Sequence, residues 1–185
     1  MTKICVFAGA QLGVNVNYGS AATELGCAIA AGGHSLIYGA GKVGLMGCVA
    51  QSALAAGAEV IGVIPDFLAY DEVLQAGLSE TIIVEDLFQR KAKMIELSDA
   101  YIALPGGIGT FDELLEILTW RQLNQTNGPI GILNVNSYFN ALLAAFNHAV
   151  DEGFVQGLHI RSIACSDDIG ELFELLGITK PAPSA

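Results

Sequence analysis

A doubly wound α/β domain, with a parallel sheet of about seven strands and helices on both faces, is the fold this sequence predicts. Three observations carry that expectation. Strand-like apolar runs alternate with helical ones from one end of the chain to the other. The strand runs are almost unbroken in hydrophobicity, as when helices cover both faces of a sheet. Three strand-to-helix connections are crowded with glycine, and right-handed crossovers bring all three to one edge of the sheet.

Taken in order, residues 4–8 read as the first strand and 9–16 as its loop. A helix over 17–31 is capped by Asn15 or Asn17 and stopped by Gly32 and Gly33. Residues 35–38 form the second strand, followed by a glycine turn and a helix over 43–56. The third strand, 59–64, stops at Pro65, and 67–79 read as a loop with at most one helical turn. A fourth strand (81–84) and a helix (87–97) lead to the fifth strand at 100–104. After the turn at 105–110 a helical pattern runs over 111–123. The sixth strand (129–135), a helix (137–152), a short seventh strand (162–165) and a last helix (168–176) complete one domain over 1–179. The end, 180–185, carries two prolines and is expected to fray.

Composition narrows the function classes. The chain has 185 residues, of which 52% are hydrophobic, enough for one large core. A mean hydropathy of +0.52 suggests that a second subunit covers some apolar surface. The net charge of −11 argues against a nucleic-acid polymer as partner. No apolar run approaches the roughly 20 residues of a membrane span. The first residues have too short an apolar core for a secretory leader, so the expected location is the cytoplasm. Cys5, Cys27, Cys48 and Cys165 are scattered, and Cys5 and Cys165 lie in strand-like runs that suggest buried thiols. Neither zinc-ligand spacing nor a G-x-S-x-G turn occurs, which disfavours a metal or serine hydrolase.

The chemistry points to the glycine edge. Gly9 and Gly13 flank the first turn, Gly39, Gly41, Gly44 and Gly47 crowd the second, and Gly106, Gly107 and Gly109 form the one after the fifth strand. Backbone N–H groups at such turns suit a phosphate. The second turn, 39–44, also spells G-x-G-x-x-G, with Asp66 about 20 residues on. That keeps a nicotinamide or flavin oxidoreductase open, and a non-catalytic nucleotide carrier is a further alternative. Only eight basic residues exist, and three of them, Arg90, Lys91 and Lys93, cluster; Arg90 and Lys91 lie near the ligand edge, unless the cluster is only a solvated helix face neutralising Glu85 and Asp86. If Thr110 and its glycines hold a phosphate, Glu113, three residues on, meets the attached sugar. A carboxylate and an arginine beside a ribose phosphate suit cleavage through an oxocarbenium-like state.

These residues resemble a known family. The run Pro105-Gly106-Gly107-Ile108-Gly109-Thr110-Phe111-Asp112-Glu113 is similar to the PGGxGTxxE signature of the LOG ("Lonely guy") proteins. Arg90-Lys91-Ala92-Lys93-Met94 resembles their RKAxM element, and Tyr38 through Gly47 their YGGGxxGLMG turn. The resemblance implies a Rossmann-like homodimer that hydrolyses the N-glycosidic bond of a nucleoside 5′-monophosphate (AMP or an N6-modified AMP of cytokinin type). Free base and ribose 5-phosphate would be the products, with no organic cofactor or metal. It also implies Arg90 and Glu113 as the catalytic pair. Gly9, Ala10, Gly41, Lys91, Gly106, Gly107, Ile108, Gly109 and Thr110 would bind the nucleotide. Met94 is a candidate for the base pocket, a place in the core being its other reading. The family's first turn usually reads Cys-Gly-Ser-Ser; here Ala10 lacks that hydroxyl, which bears on affinity or base preference.

Overall fold

The computed structural model describes residues 1–70 and 73–178. The expected tail at 180–185 and two residues of the 67–79 loop lie outside the described residues. Seven strands form one sheet: β1 (Lys3–Phe7), β2 (Ser35–Tyr38), β3 (Val60–Pro65), β4 (Glu80–Val84), β5 (Ala100–Ala103), β6 (Ile130–Leu133) and β7 (Ile163–Ser166). Their order is β4-β3-β2-β1-β5-β6-β7, and every pairing is parallel. The helices are α1 (Val16–Ala31), α2 (Gly44–Ala55), α3 (Leu87–Glu96), α4 (Ile108–Gln122), α5 (Asn140–Asp151), α6 (Gly157–Arg161) and α7 (Ile169–Leu175). The predicted α/β architecture is the observed one.

Alternating side chains divide the strands between two cores. Ile4 and Val6 of β1, Leu36 and Tyr38 of β2 and Ile102 of β5 pack under α1, α2 and α7, against Leu25, Val49 and Leu172. Cys5 and Phe7, Ile37 and Tyr101 face the other way, onto Met94 and Ile95 of α3 and Leu114 and Ile117 of α4. Both layers are apolar, so the central strands read as continuous hydrophobic runs. The outermost strands differ: β4 and β7 each have one neighbour, and Ile83 and Cys165 are exposed. Cys165 is therefore not the buried thiol its strand-like run suggests, because β7 lies at the rim. Cys5, in a central strand, is buried.

Several boundaries moved for identifiable reasons. Asn15 is the cap of α1, its side chain accepting from the Asn17 N–H at 3.0 Å. The helix expected from residue 111 begins at Ile108, because the glycines at its start occupy a first turn whose N–H groups need no helical partner. The helix expected from 137 begins only at Asn140; Asn136 and Ser137 have φ of 51° and 58°, which no helix continues through. The short α6 carries no strong cap or periodicity and was not anticipated. Residues 66–68 supply the single helical turn allowed for in the long loop.

The topology places the ligand edge. From β1 the chain winds outward through β2, β3 and β4, and α3 then returns it to β5 on the other side of β1. A crevice opens where such winding reverses, outside the carboxyl ends of β1 and β5. Close packing of α1 on α2 supports one wall of it. A Cβ at Gly26 would stand 2.4 Å from the Val49 carbonyl oxygen and 2.9 Å from the Ala53 nitrogen. Gly26→Ala, which by helix propensity alone gains about 1 kcal/mol, is therefore expected to destabilise the fold by about 2 kcal/mol through overpacking; urea unfolding of the two proteins measures the sign.

Candidate active site

A cavity of about 440 Å³ opens at the crevice, within the range of small-molecule sites. The loop after β1 forms one wall through Gly9, Ala10, Gln11, Leu12 and Gly13. The turn after β5 forms another through Pro105, Gly106, Gly107, Gly109 and Thr110. Tyr18 of α1, Leu45 and Met46 of α2, and Tyr138 after β6 line its apolar side, while Arg90 and Glu113 bring the charge.

The three glycine turns touch one another, and each has a different task. Gly9 donates its N–H to the Pro105 carbonyl at 3.1 Å, and a Cβ there would approach Gly106 Cα to 3.0 Å. The Gly9 carbonyl in turn accepts from the N–H groups of Leu45 (2.9 Å) and Met46 (3.2 Å) at the start of α2. Gly44, with φ of 62°, lies so close to the first loop that a Cβ would stand 2.3 Å from the Ala10 carbonyl carbon. The N-terminus of α2 is thus filled by the β1 loop rather than open to a pyrophosphate. Gly41 makes a bridge to Leu74, and Asp66 opens the short helical turn, both outside the cavity lining. In this fold the G-x-G-x-x-G turn packs against the β1 loop.

The turn after β5 is open. Among the described residues, the N–H groups of Gly106, Gly107, Ile108, Gly109 and Thr110 donate to no protein acceptor; the first inward bond of α4 runs from Phe111 to the Gly107 carbonyl. No side chain caps this helix. Five successive free donors at a helix start are suited to receive an anion. Thr110 is buried with its hydroxyl against Gly106, where a Cβ would lie 2.1 Å from Thr110 Oγ1.

Arg90 and Glu113 meet at the cavity wall. Arg90 Nη2 donates to Glu113 Oε1 at 3.0 Å, with side chains only 15% and 11% exposed. The guanidinium lies across the end of β2, where a Cβ on Gly39 would fall 2.0 Å from Nη2. Its Nε is buried without a protein acceptor, one of two such side-chain atoms among the described residues. Glu113 sits in the second turn of α4, since that helix begins earlier than expected. Burial is the main influence on its carboxyl and raises its pKa to about 7; the Arg90 charge opposes the shift, Asp112 adds to it, and Lys91 lowers it. A carboxyl poised near neutrality accepts or donates a proton at working pH.

The remaining predicted residues lie elsewhere. Lys91 Nζ bonds Asp112 and Glu116, both at 3.0 Å, and does not line the cavity. Ile108 exposes its side chain to solvent although its N–H belongs to the open turn. Met94 is fully buried in the α3–α4 core, outside the cavity lining. The basic cluster binds neighbouring carboxylates rather than forming a free face, with Lys93 on Glu96. Sequence reasoning missed Gln11, Leu12, Tyr18, Leu45, Met46 and Tyr138. Tyr138 had one legible signal, its place just beyond the carboxyl end of the sixth strand.

Comparisons with known proteins identify the relatives of this chain. A family model described as "Possible lysine decarboxylase" matches residues 46–176. The chain is 44% identical over 174 residues to cytokinin riboside 5′-monophosphate phosphoribohydrolase LOG1 of Arabidopsis thaliana, covering 94% of this chain and 82% of that one. It is 46% identical over 172 residues to the cytokinin riboside 5′-monophosphate phosphoribohydrolase of Rhodococcoides fascians, covering 92% and 87%. Among solved structures, the molybdenum cofactor binding protein of Rippkaea orientalis superposes with a TM-score of 0.69 at 22% identity, over 95% of this chain and 93% of that one. The molybdenum cofactor carrier protein of Chlamydomonas reinhardtii gives 0.70 at 20%, over 95% and 96%. At that identity the likeness is one of fold.

The raised carboxyl gives a pH signature. Between about pH 4.5 and 7 the folded state holds a proton on Glu113 that the unfolded chain releases, so stability falls as pH rises through this window. The contribution is about 3 kcal/mol, complete by pH 7 to 8. Urea unfolding from pH 5 to 8 is expected to show this loss in the parent and not in Glu113→Gln. Arg90→Ala should move the Glu113 titration, followed by carboxyl-carbon NMR, further upward.

Proposed function

The chain belongs to the LOG family of cytokinin riboside 5′-monophosphate phosphoribohydrolases, and from that premise we propose how its own residues carry the reaction. The substrate is a nucleoside 5′-monophosphate with an adenine-type base, AMP or its N6-modified cytokinin form. One observation supports the reading: an Arg90–Glu113 pair at 3.0 Å lines the same cavity as Gly106, Gly107, Gly109 and Thr110, four of the five residues with unpartnered N–H groups.

The phosphate lies in the turn at 106–110, where backbone donors and the α4 dipole replace the cations this acidic chain lacks. Gly9 and Ala10 close the opposite side. The ribose then reaches Glu113, one turn deeper on α4. The C1′–N bond breaks with its electron pair leaving on the base, and positive charge gathers at C1′ and the ring oxygen. Ionised Glu113 stabilises that charge and takes a proton from the water whose oxygen bonds to C1′. The departing base takes up a proton from solvent water as it leaves, and Glu113 returns the proton it gained to solvent, which restores the carboxylate. Arg90 holds the carboxylate in place and offers its free Nε–H to a substrate oxygen. Lys91, tied to Asp112 and Glu116, supports the α3–α4 contact and adds positive charge behind the site.

We also read the protein as a cytoplasmic homodimer. Its cysteines are free thiols, in keeping with a reducing compartment. Ile83, Leu87 and Phe88 form an exposed apolar strip along the β4 edge and the start of α3, as a subunit contact requires.

Arg90→Ala and Glu113→Gln are each expected to lower kcat/KM for AMP and N6-isopentenyl-AMP by about a hundredfold or more, read as chromatographic release of free base; rates equal to the parent would overturn the assignment. Light scattering at micromolar concentration should give about twice the 19.3 kDa chain mass, and a monomer would remove the dimer.

A further inference from the structure

Among the described residues, Tyr138 is the one aromatic side chain at the cavity that also bonds the 106–110 turn. Its hydroxyl donates to the Gly106 carbonyl. Its ring stacks on Phe111 of α4 (centroids 6.3 Å apart, 21° between planes) and meets Tyr18 of α1 edge-on at 5.8 Å. One phenol thus joins the wall of the site to the first turn of α4.

The chain accepts an unusual backbone to put it there. Asn136 and Ser137 are two consecutive non-glycine residues with positive φ, 51° and 58°. Such conformations are held only where surrounding bonds over-determine them. Asn134 supplies those bonds: its Oδ1 accepts from the Phe139 N–H at 2.8 Å, its Nδ2 donates to Asn140 Oδ1 at 2.8 Å, and its carbonyl accepts from the Ser137 N–H at 3.0 Å. Asn17 Nδ2 adds a bond to Asn136 Oδ1 at 3.2 Å. The result delivers Tyr138 from the end of β6 to the turn after β5.

A peptide plane carries its carbonyl and the next N–H on opposite sides. Fixing the Gly106 carbonyl therefore fixes the direction of the Gly107 N–H, one of the five free donors. Glycines on both sides of this peptide leave it free to rotate unless something holds it. We propose that Tyr138 is a positioning residue for phosphate binding: its hydroxyl locks the Gly106–Gly107 peptide so that the turn is preformed before the nucleotide arrives. Preformed donors avoid an ordering cost on binding. The inference rests on the assignment of the 106–110 turn to the phosphate.

Tyr138→Phe tests it, since it removes one oxygen and keeps the ring contacts. Calorimetry with ribose 5-phosphate, AMP and adenine separates the contributions. The variant is expected to bind ribose 5-phosphate and AMP about tenfold more weakly and adenine unchanged. KM for AMP rises by a similar factor with kcat within about twofold, and the thermal midpoint stays within about 2 °C of the parent. A merely structural tyrosine would lower the midpoint and leave the phosphate dependence intact. Equal ribose 5-phosphate affinity in parent and variant overturns the positioning role alone. A parent that binds no ribose 5-phosphate overturns the phosphate assignment along with it.

Discussion

The structure depends on the close approach of three loops at the carboxyl ends of β1, β2 and β5. Gly9 is the pivot: its N–H bonds the β5 turn and its carbonyl receives the first amides of α2. A side chain there would press on Gly106, and one at Gly44 would press on the β1 loop. With two of the three loops spent on each other, the third keeps its amides free. The division explains why three similar glycine clusters leave one run of open amides. The most recognisable spelling, at 39–44, leads into a helix start whose first amides already have an acceptor, the Gly9 carbonyl.

An acidic chain that binds an anion needs dipoles in place of cations. Of eight basic residues, Arg90, Lys91 and Lys93 are matched with carboxylates, so the fold leaves little net positive charge at the cavity. Backbone donors serve instead, because their partial charges come without a counter-ion and without a side chain to order. The α3–α4 pairs have a second effect. They clamp α3, which travels from the sheet edge to its centre, against α4, and so hold Arg90 across the end of β2.

The Arg90–Glu113 pair joins that clamp to chemistry. Burial, with a smaller push from Asp112, raises the carboxyl's pKa, and the guanidinium partly restores the charged form. The outcome is a group near the midpoint of its titration at neutral pH, which neither a fully solvated carboxylate nor a fully compensated ion pair would be. Glycine at 39 is part of this balance, since it admits the guanidinium to the end of β2.

Much of this was legible in the residues themselves. Strand hydrophobicity and the glycine turns specified a parallel α/β sheet, and the run from Pro105 to Glu113 pointed to an open turn and a buried acid that line one cavity. These are local properties: a strand's hydrophobicity and a turn's need for glycine are written where they act. Boundaries slipped where the backbone broke its own rules, at Ser137 and at Ile108. The apolar side of the cavity could not be read at all, because Leu12, Tyr18, Met46 and Tyr138 meet only after four separate segments are brought together. Met94 and Lys91 had the right neighbours in sequence, yet one turned into the core and the other toward α4. The chain's order alone determined which residues could do the chemistry. Their shared space was decided by tertiary packing, since contact across the sheet depends on strand order and on which carbonyl takes which amide, and neither is encoded within a single segment.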